Sequence, residues 1–163
     1  MEPDNGEARA LRTLGLLTRG ALHEISNPLL ALVGSAELAL SEAEEGTKLH
    51  GRLALVHSTG SEIARIVRAL QGFLRLQGEP EATLSVGEQA AEAVALVELL
   101  TPLRGRAVVA RGDATVTRRP GPLRAALVEL LLEAIDRTEP GELVELVVED
   151  GAVRATGGGE LRL

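Results

Sequence analysis

The stretch ALHEISNPLL, residues 21–30, places a histidine and a glutamate side by side within a long run of helix-forming residues. Pro28 lies in the same run, although a proline inside a helix removes one backbone hydrogen bond and can bend the helix. Outward from this stretch, the apolar spacing predicts one helix over residues 7–43, which Asp4 or Asn5 can cap. The cost of a proline inside a helix is acceptable where a functional site needs the altered backbone. The neighbourhood of His23 is therefore the first candidate for a functional site.

The predicted first helix is amphipathic. At 100° per residue, polar side chains surround His23, and Leu16 and Leu30 are the apolar exceptions on its side. His23 therefore lies near the middle of the solvent-facing side of the helix. The opposite face carries seven apolar residues: Leu11, Leu14, Leu17, Ala21, Ile25, Leu29 and Leu32.

A second helix is predicted over residues 48–77, after a break at Gly46 and with Thr47 as its cap. Two long helices joined by a short loop form an antiparallel hairpin, which cannot bury its apolar stripe alone. Two copies can do so as a four-helix bundle, so residues 1–78 are predicted to form a homodimer. The apolar residues of the second helix follow heptad spacing: Leu49, Leu53, Val56, Gly60, Ile63, Val67, Leu70 and Leu74.

The pattern changes after QGEPEAT, residues 77–83, which has the composition of a linker. Residues 84–163 are predicted to be a small α/β domain, so the fold class of the whole chain is α+β. Its predicted elements are a helix over 86–100 capped by Ser85 with Glu88, strands at 106–111 and 114–118 around a Gly112-Asp113 turn, a helix over 123–138, and a hairpin over 142–156 turning at Asp150-Gly151.

Composition excludes several classes of function. A formal net charge of −7 argues against a general nucleic-acid-binding protein, which needs a basic face. The absence of cysteine excludes disulfides and cysteine-based metal sites. No apolar run reaches the length of a membrane span and the N-terminus has no signal-peptide pattern, so a cytoplasmic location without membrane attachment is expected.

His23 has neighbours suited to group transfer. A neutral imidazole is a nucleophile near neutral pH. Glu24 can hold the ring tautomer or accept a proton, and Asn27 lies one turn further along on the same face, where its amide can orient a water or a phosphoryl oxygen. A lone surface histidine without function is the alternative interpretation.

The segment LGLLTRGALHEISNPLLALVGSAELAL resembles the phosphoacceptor helix of bacterial sensor histidine kinases of the H-E-x-x-N-P type. IARIVRALQGFLR, residues 63–75, is similar to the second helix of the same dimerisation and histidine-phosphotransfer domain, so the resemblance covers nearly all of residues 8–77. It implies that His23 takes and gives a phosphoryl group and that Glu24 is its acid/base partner. Asn27 would then support dephosphorylation of a partner response regulator.

In such kinases an ATP-binding domain of the GHKL type follows. Residues 123–138 are similar to its asparagine-bearing helix, but Glu129 and Glu133 occupy the two positions where the family has asparagine. A carboxylate can also bind magnesium, although it adds negative charge beside the phosphates.

The D-x-G-x-G loop of that family corresponds to RATGGGE, where Ala155 stands in place of the aspartate that reads adenine. An alanine cannot accept the adenine amino hydrogen, and a site built on that bond loses orders of magnitude without it. The chain also ends four residues after Gly159, before the lid and the second glycine-rich segment of the family. A degenerate domain that does not bind ATP is therefore expected.

This combination resembles the bacterial histidine phosphotransferases, which relay phosphoryl groups between receiver-domain aspartates of response regulators. The resemblance implies a receiver domain as partner, with Mg²⁺ on that partner and no cofactor or metal in this chain. The receiver domain would dock on a surface around His23 that is formed by Leu16, Arg19 and Leu30. Three alternatives remain open: a minimal histidine kinase, a response-regulator phosphatase that needs Asn27, and a non-catalytic dimeric scaffold.

Overall fold

The computed structural model describes residues 5–163, and within the first helix it describes the side chains of Ala10 and of Thr13 onward. The chain divides into two compact units, one ending at Leu74 and one spanning Arg75–Leu163. The predicted fold class, a helical pair followed by an α/β domain, is confirmed. In chain order the elements are α1 (Asn5–Glu42), α2 (Lys48–Leu76), β1 (Ala82–Ser85), α3 (Val86–Leu100), β2 (Ala107–Arg111), β3 (Thr115–Arg118), α4 (Pro120–Arg137), β4 (Leu143–Glu149), β5 (Ala152–Ala155) and β6 (Glu160–Arg162).

The two helices of the first unit begin and end close to the predicted positions. α1 starts at Asn5, and the alternative cap Asp4 lies outside the described residues. Thr47 caps α2 as predicted, because its hydroxyl accepts the backbone N–H of His50 at 3.1 Å. This bond satisfies one of the unpaired N–H groups in the first turn of α2. No helix in the described part of the chain is both long and apolar enough to cross a membrane.

The helices of this unit run antiparallel. A methyl group built on Gly60 would lie 2.9 Å from Val33 Cγ2, and Gln71 reaches the backbone of Leu22. Moving from Val33 back to Leu22 along α1 therefore corresponds to moving forward from Gly60 to Gln71 along α2, by the same number of residues. This register fixes which residues of the two helices lie level with one another.

The contact between α1 and α2 is displaced from the centre of the face predicted from α1 alone, although Leu32 of that face reaches it, with its Cδ2 3.3 Å from a methyl group built on Gly60. The buried residues of the two helices are Leu22 and Ala36 on α1 and Gly60, Ala64 and Val67 on α2. At 100° per residue, Leu22 and Ala36 lie about 100–140° from His23 rather than opposite it. The opposite face stays exposed in a single chain: Leu14, Leu17, Ile25 and Leu32.

The second unit has a mixed four-stranded sheet in the order β2-β4-β5-β6. β2 and β4 are parallel, and the other neighbours are antiparallel. A separate two-stranded sheet joins β1 to β3. The buried residues of α3, α4 and the four-stranded sheet form one aliphatic core, whose largest fully buried side chains are Leu127, Leu131, Leu146, Val86, Val97, Val144 and Val153.

Several local predictions in this unit are confirmed. α3 spans Val86–Leu100, and the Ser85 hydroxyl caps it by accepting the Glu88 N–H at 3.0 Å. β4 and β5 form the predicted hairpin around Asp150-Gly151. α4 begins at Pro120, three residues earlier than predicted, because a proline is well suited to the first helical position.

Asp113 fixes the start of α3 to the loop between β2 and β3. Its Oδ1 accepts hydrogen bonds from the Gly87 N–H, the Ser85 hydroxyl and the Ala114 N–H, each at 2.8 Å. The bond from Gly87, followed by the bond from Ser85, lowers the pKa of Asp113 below its ordinary value of 3.8. The carboxylate form of Asp113 is therefore favoured by the fold.

Three connections differ from the sequence prediction or add to it. The linker predicted at 77–83 is wrong at its end, because β1 already starts at Ala82 and pairs with β3. The strands on either side of the Gly112-Asp113 turn do not form a hairpin, since β2 and β3 belong to different sheets. The glycines 157–159 are a tight turn into β6, which the sequence analysis did not predict.

The start of the supposed linker is also held in place. Gln77 donates to the Gly121 carbonyl at 3.2 Å, and Arg119 donates to the carbonyls of Gln77 and Glu79 at 3.2 and 3.3 Å. A methyl group built on Gly121 would lie 2.5 Å from the Cα of Gln77. A glycine is therefore needed where this segment crosses the start of α4.

Candidate functional site

The three predicted catalytic residues lie on one accessible stretch of α1. The side chains of His23, Glu24 and Asn27 are all exposed. Glu24 is 100° around the helix from His23, and Asn27 lies one turn further along, within about 40° of it. α1 continues through Pro28, which has no N–H to donate to the Glu24 carbonyl.

The packing of Leu22 determines which way His23 points. Leu22 is only 8% exposed because it faces α2. The next residue on a helix points about 100° away, so burying Leu22 turns the imidazole of His23 toward solvent. A nucleophilic imidazole with this exposure can be reached by a group carried on another protein.

The predicted docking residues surround His23. Leu16 is 66% exposed and Leu30 is 52% exposed, and the Arg19 side chain is exposed as well. All three lie within about 40° of His23 around α1, up to two turns before or after it. The structure therefore brings an apolar side chain to each side of the histidine, together with one cation.

Gln71 was missed by the sequence analysis. Its side-chain Nε2 donates to the backbone carbonyl oxygen of Leu22 at 3.1 Å, and this bond is partly buried between α1 and α2. The contact depends on the register of the hairpin, and one glutamine in a heptad helix carries no sequence signal for it. Through this bond, Gln71 contacts the backbone of the residue that directly precedes His23.

In the second unit, three of the residues compared with a nucleotide site, Glu129, Glu133 and Gly159, line a cleft of about 330 Å³ between α4 and β6. Glu129 and Glu133 contribute carboxylates to it, and Arg137 lies at its end. Arg137 pairs with Glu133 at 3.3 Å and also donates to the Gly158 carbonyl at 3.1 Å. The charged groups of this cleft are thus partly paired with one another.

The glycine turn lies directly against α4. The Gly158 N–H donates to the Ala155 carbonyl at 3.3 Å, and the Ala155 N–H donates to the Gly159 carbonyl at 3.2 Å. A methyl group built on Gly159 would lie 2.7 Å from Leu130 Cδ1. Because the turn continues into β6 and not into a helix, it has no helix N-terminus at which a phosphate could bind.

Among the side chains that the structure describes, Ala10 and Thr13 onward, no group of three or more histidine, aspartate or glutamate residues is arranged to hold a metal ion.

Comparison with known protein families finds no matching family model, and no curated protein matches the chain. Solved structures do resemble it. Full-length ShkA in complex with AMPPNP is 20% identical, with a TM-score of 0.48, and the match covers 85% of this chain and 32% of that one.

Two histidine kinases are also similar. A histidine kinase from Burkholderia phymatum is 18% identical, with a TM-score of 0.39, over 83% of this chain and 64% of that one. The histidine kinase ThkA, solved in complex with the response regulator protein TrrA, is 18% identical, with a TM-score of 0.37, over 91% of this chain and 46% of that one. The chain thus spans between about a third and two thirds of these proteins, and its function has to be inferred from its own residues.

Proposed function

We propose that this chain is a histidine phosphotransferase, in which His23 relays a phosphoryl group to or from the aspartate of a response-regulator receiver domain. The observation that carries the proposal is the exposed trio of His23, Glu24 and Asn27 on α1, turned outward by the buried Leu22. A phosphorelay histidine has to be reached by another protein, and this position meets that requirement.

The chemistry needs few groups from this chain. The lone pair of one imidazole nitrogen attacks the phosphorus of the partner's aspartyl phosphate, a nitrogen–phosphorus bond forms, and the aspartate carboxylate leaves. Glu24 holds the proton on the other ring nitrogen, and Asn27 donates from its amide to a phosphoryl oxygen. The reverse transfer uses the same groups. The partner receiver domain supplies the aspartate and Mg²⁺.

The surroundings of His23 fit a protein partner. Leu16 and Leu30 expose apolar surface on either side of the histidine, and Arg19 adds a cation close to it. Exposed apolar side chains around a polar centre are typical of protein interaction sites. Docking on them would bring the receiver aspartate to His23.

The exposed apolar face of the hairpin supports a homodimer. Leu14, Leu17, Ile25 and Leu32 of α1 are exposed in the single chain, as are Leu49, Val56 and Ile63 of α2. Burying such residues is favourable by about 25 cal/mol for each Å² of apolar surface. A second copy can cover them in a four-helix bundle while both His23 faces stay open.

Two features of the second unit support transfer without ATP. Ala155 ends β5 where the resembled family has its adenine-reading aspartate. The glycine turn that follows packs on Leu130, accepts a hydrogen bond from Arg137 and leads into β6, so it offers no helix N-terminus to a phosphate. The phosphoryl group would then come from a partner and not from a nucleotide.

The decisive experiment is a phosphotransfer assay with two donors. The protein is incubated with labelled ATP alone and, separately, with a labelled phosphorylated receiver domain from the same organism. We expect acid-labile, base-stable label on the protein from the receiver only. His23→Ala should abolish the label, whereas the matched control His57→Ala should keep it.

Each other outcome identifies an alternative. Label from ATP alone would make the protein a kinase. Loss of label from the receiver into free phosphate, dependent on Asn27, would make it a phosphatase. Binding of the receiver without label on His23 would leave a scaffold.

A further inference from the structure

We infer that Gln71 is the positioning residue for His23, and this inference rests on the proposed phosphotransfer function. Gln71 lies on α2 level with Leu22 and donates its side-chain amide to the Leu22 carbonyl oxygen at 3.1 Å. That carbonyl belongs to the peptide bond between Leu22 and His23. The donor therefore acts on the backbone that carries the histidine, and not on the imidazole itself.

The turn that carries His23 lacks one of its own restraints. Pro28 has no N–H, so the Glu24 carbonyl, one residue beyond His23, has no helical partner. A helix bends most readily where such a bond is missing. The bond from Gln71 supplies a restraint from α2 within the same turn, and it is partly shielded from water.

The composition of the contact between α1 and α2 also singles out Gln71. A single stripe of α2 carries four residues at spacings of four, three and four: Gly60, Ala64, Val67 and Gln71. The first three are small or apolar and buried. A side-chain amide in such a contact is unfavourable unless it is hydrogen-bonded, and the Leu22 carbonyl provides the partner.

The consequence is a fixed rotation of α1 about its axis. If α1 turned, Leu22 would leave the contact with α2 and the imidazole of His23 would move away from its outward position. The bond between Gln71 and Leu22 opposes this rotation by a directional interaction, whereas packing of Leu22 alone is not directional. Gln71 thus keeps His23 in the orientation that a receiver domain meets.

The test compares variants of Gln71 in the full-length protein. Gln71→Met keeps the volume but removes the donor, Gln71→Glu replaces the donor with an acceptor, and Gln71→Lys keeps a donor. Val67→Ala, one turn earlier on the same stripe, is the control for weakened packing alone. Transfer from a phosphorylated receiver to His23 is measured in single turnover over a range of receiver concentrations.

Removing the donor should slow the saturated transfer rate by about tenfold, since small displacements of a reacting group have effects of this size or larger. The receiver concentration at half saturation should stay within about twofold, because the docking residues are unchanged. Gln71→Lys and Val67→Ala should transfer at close to the wild-type saturated rate. Wild-type rates in both Gln71→Met and Gln71→Glu would overturn the inference.

A second measurement separates this inference from the proposed function. Amide hydrogen exchange around His23 should be faster in Gln71→Met than in Val67→Ala, because the restraint on that turn is lost. If wild-type His23 takes no phosphoryl group but exchange changes as expected, the proposed function fails and the restraint stands. Unchanged exchange in Gln71→Met would overturn the restraint, whatever the transfer assay shows.

Discussion

The hairpin and the α/β unit are both rich in leucine and alanine, but they place their leucines differently. In α4, Leu123, Leu127, Leu130 and Leu131 are buried within the unit's own core. In α1, Leu14, Leu16, Leu17 and Leu38 are all more than 60% exposed. An apolar helix pattern thus predicts that a face will be covered, but it does not say whether the cover comes from the same chain.

The largest difference should appear when one leucine is truncated in each unit. Leu127→Ala, at a fully buried position, should lower the free energy of unfolding by about 3–4 kcal/mol, because it leaves a cavity in a packed core. Leu38→Ala, at a position 67% exposed, should change it by less than about 0.5 kcal/mol. Urea denaturation of both variants measures this, and equal losses would contradict the contrast.

The next effect concerns the uncovered face of α1. Ile25→Glu should weaken homodimerisation at least about 100-fold, because it places a charge in the proposed interface. Leu38→Glu is the control, since Leu38 is exposed but lies on the side of α1 nearer His23. Sedimentation equilibrium over a concentration series measures both. A wild-type protein that stays monomeric at high concentration would refute the dimer.

A third variant tests the tie between the 77–81 segment and α4. Gly121→Ala should destabilise the α/β unit by about 2 kcal/mol, because the added methyl would lie 2.5 Å from backbone atoms of Leu76 and Gln77. Gly151→Ala is not a suitable control, because Gly151 has a positive φ of 87°. A methyl group on Gly87 would also be crowded, so Gly87→Ala is not a suitable control either. The comparison is therefore with the wild-type protein and with Arg119→Ala. That change removes the hydrogen bonds from Arg119 to the carbonyls of Gln77 and Glu79, and it should lower the free energy of unfolding by less than Gly121→Ala does.

A fourth comparison stays within α2. Gly60→Ala should destabilise the hairpin by about 1 kcal/mol, because crowding against the stiff Val33 side chain outweighs the gain in helix propensity. Gly51→Ala, where nothing lies within 4 Å of the added methyl, should stabilise it by about 0.5–1 kcal/mol. Thermal unfolding followed by circular dichroism gives both signs, and stabilisation by Gly60→Ala would mean that the helices are not in close contact there.

The smallest effect is a pH dependence confined to the α/β unit. The pKa of Asp113 is lowered by its bonds from Gly87 and Ser85, so its contribution to stability is present above its ordinary value of 3.8. That contribution is lost as the pH falls through the lowered pKa of the folded state. The difference in stability between wild type and Asp113→Asn should therefore shrink as the pH falls below about 4. Denaturation at several pH values measures it, and a constant difference would contradict the assignment.

Local signals in the sequence predicted local structure well. Thr47, Ser85 and the Asp150-Gly151 turn each act over three or four residues, and the structure has the expected caps and hairpin. β1 and β6 were missed because their pairing partners are other strands and their own residues are polar or follow glycines. A strand that depends on its neighbour cannot be recognised from its own composition.

The candidate site was predictable in the same local sense. The exposure of His23, Glu24 and Asn27 follows from the amphipathic pattern of α1. The rotation of α1 against α2 does not follow, because apolar residues occupy a wide arc and either part of it can face the partner helix. Gln71 could be found only after Leu22, and not Ile25, was seen to face α2.

The order of strands in the four-stranded sheet determines which strands have an edge open to pairing with another molecule. β2 and β6 each have a neighbour on one side only, and a strand with an unpaired edge can accept a strand from another molecule. β6 has only three residues and carries Glu160 and Arg162. β2 is more apolar, and its last residue, Arg111, is paired with Glu145 of β4 at 2.7 Å. A charged residue at the end of an otherwise apolar edge strand disfavours edge-to-edge pairing with a strand of another molecule.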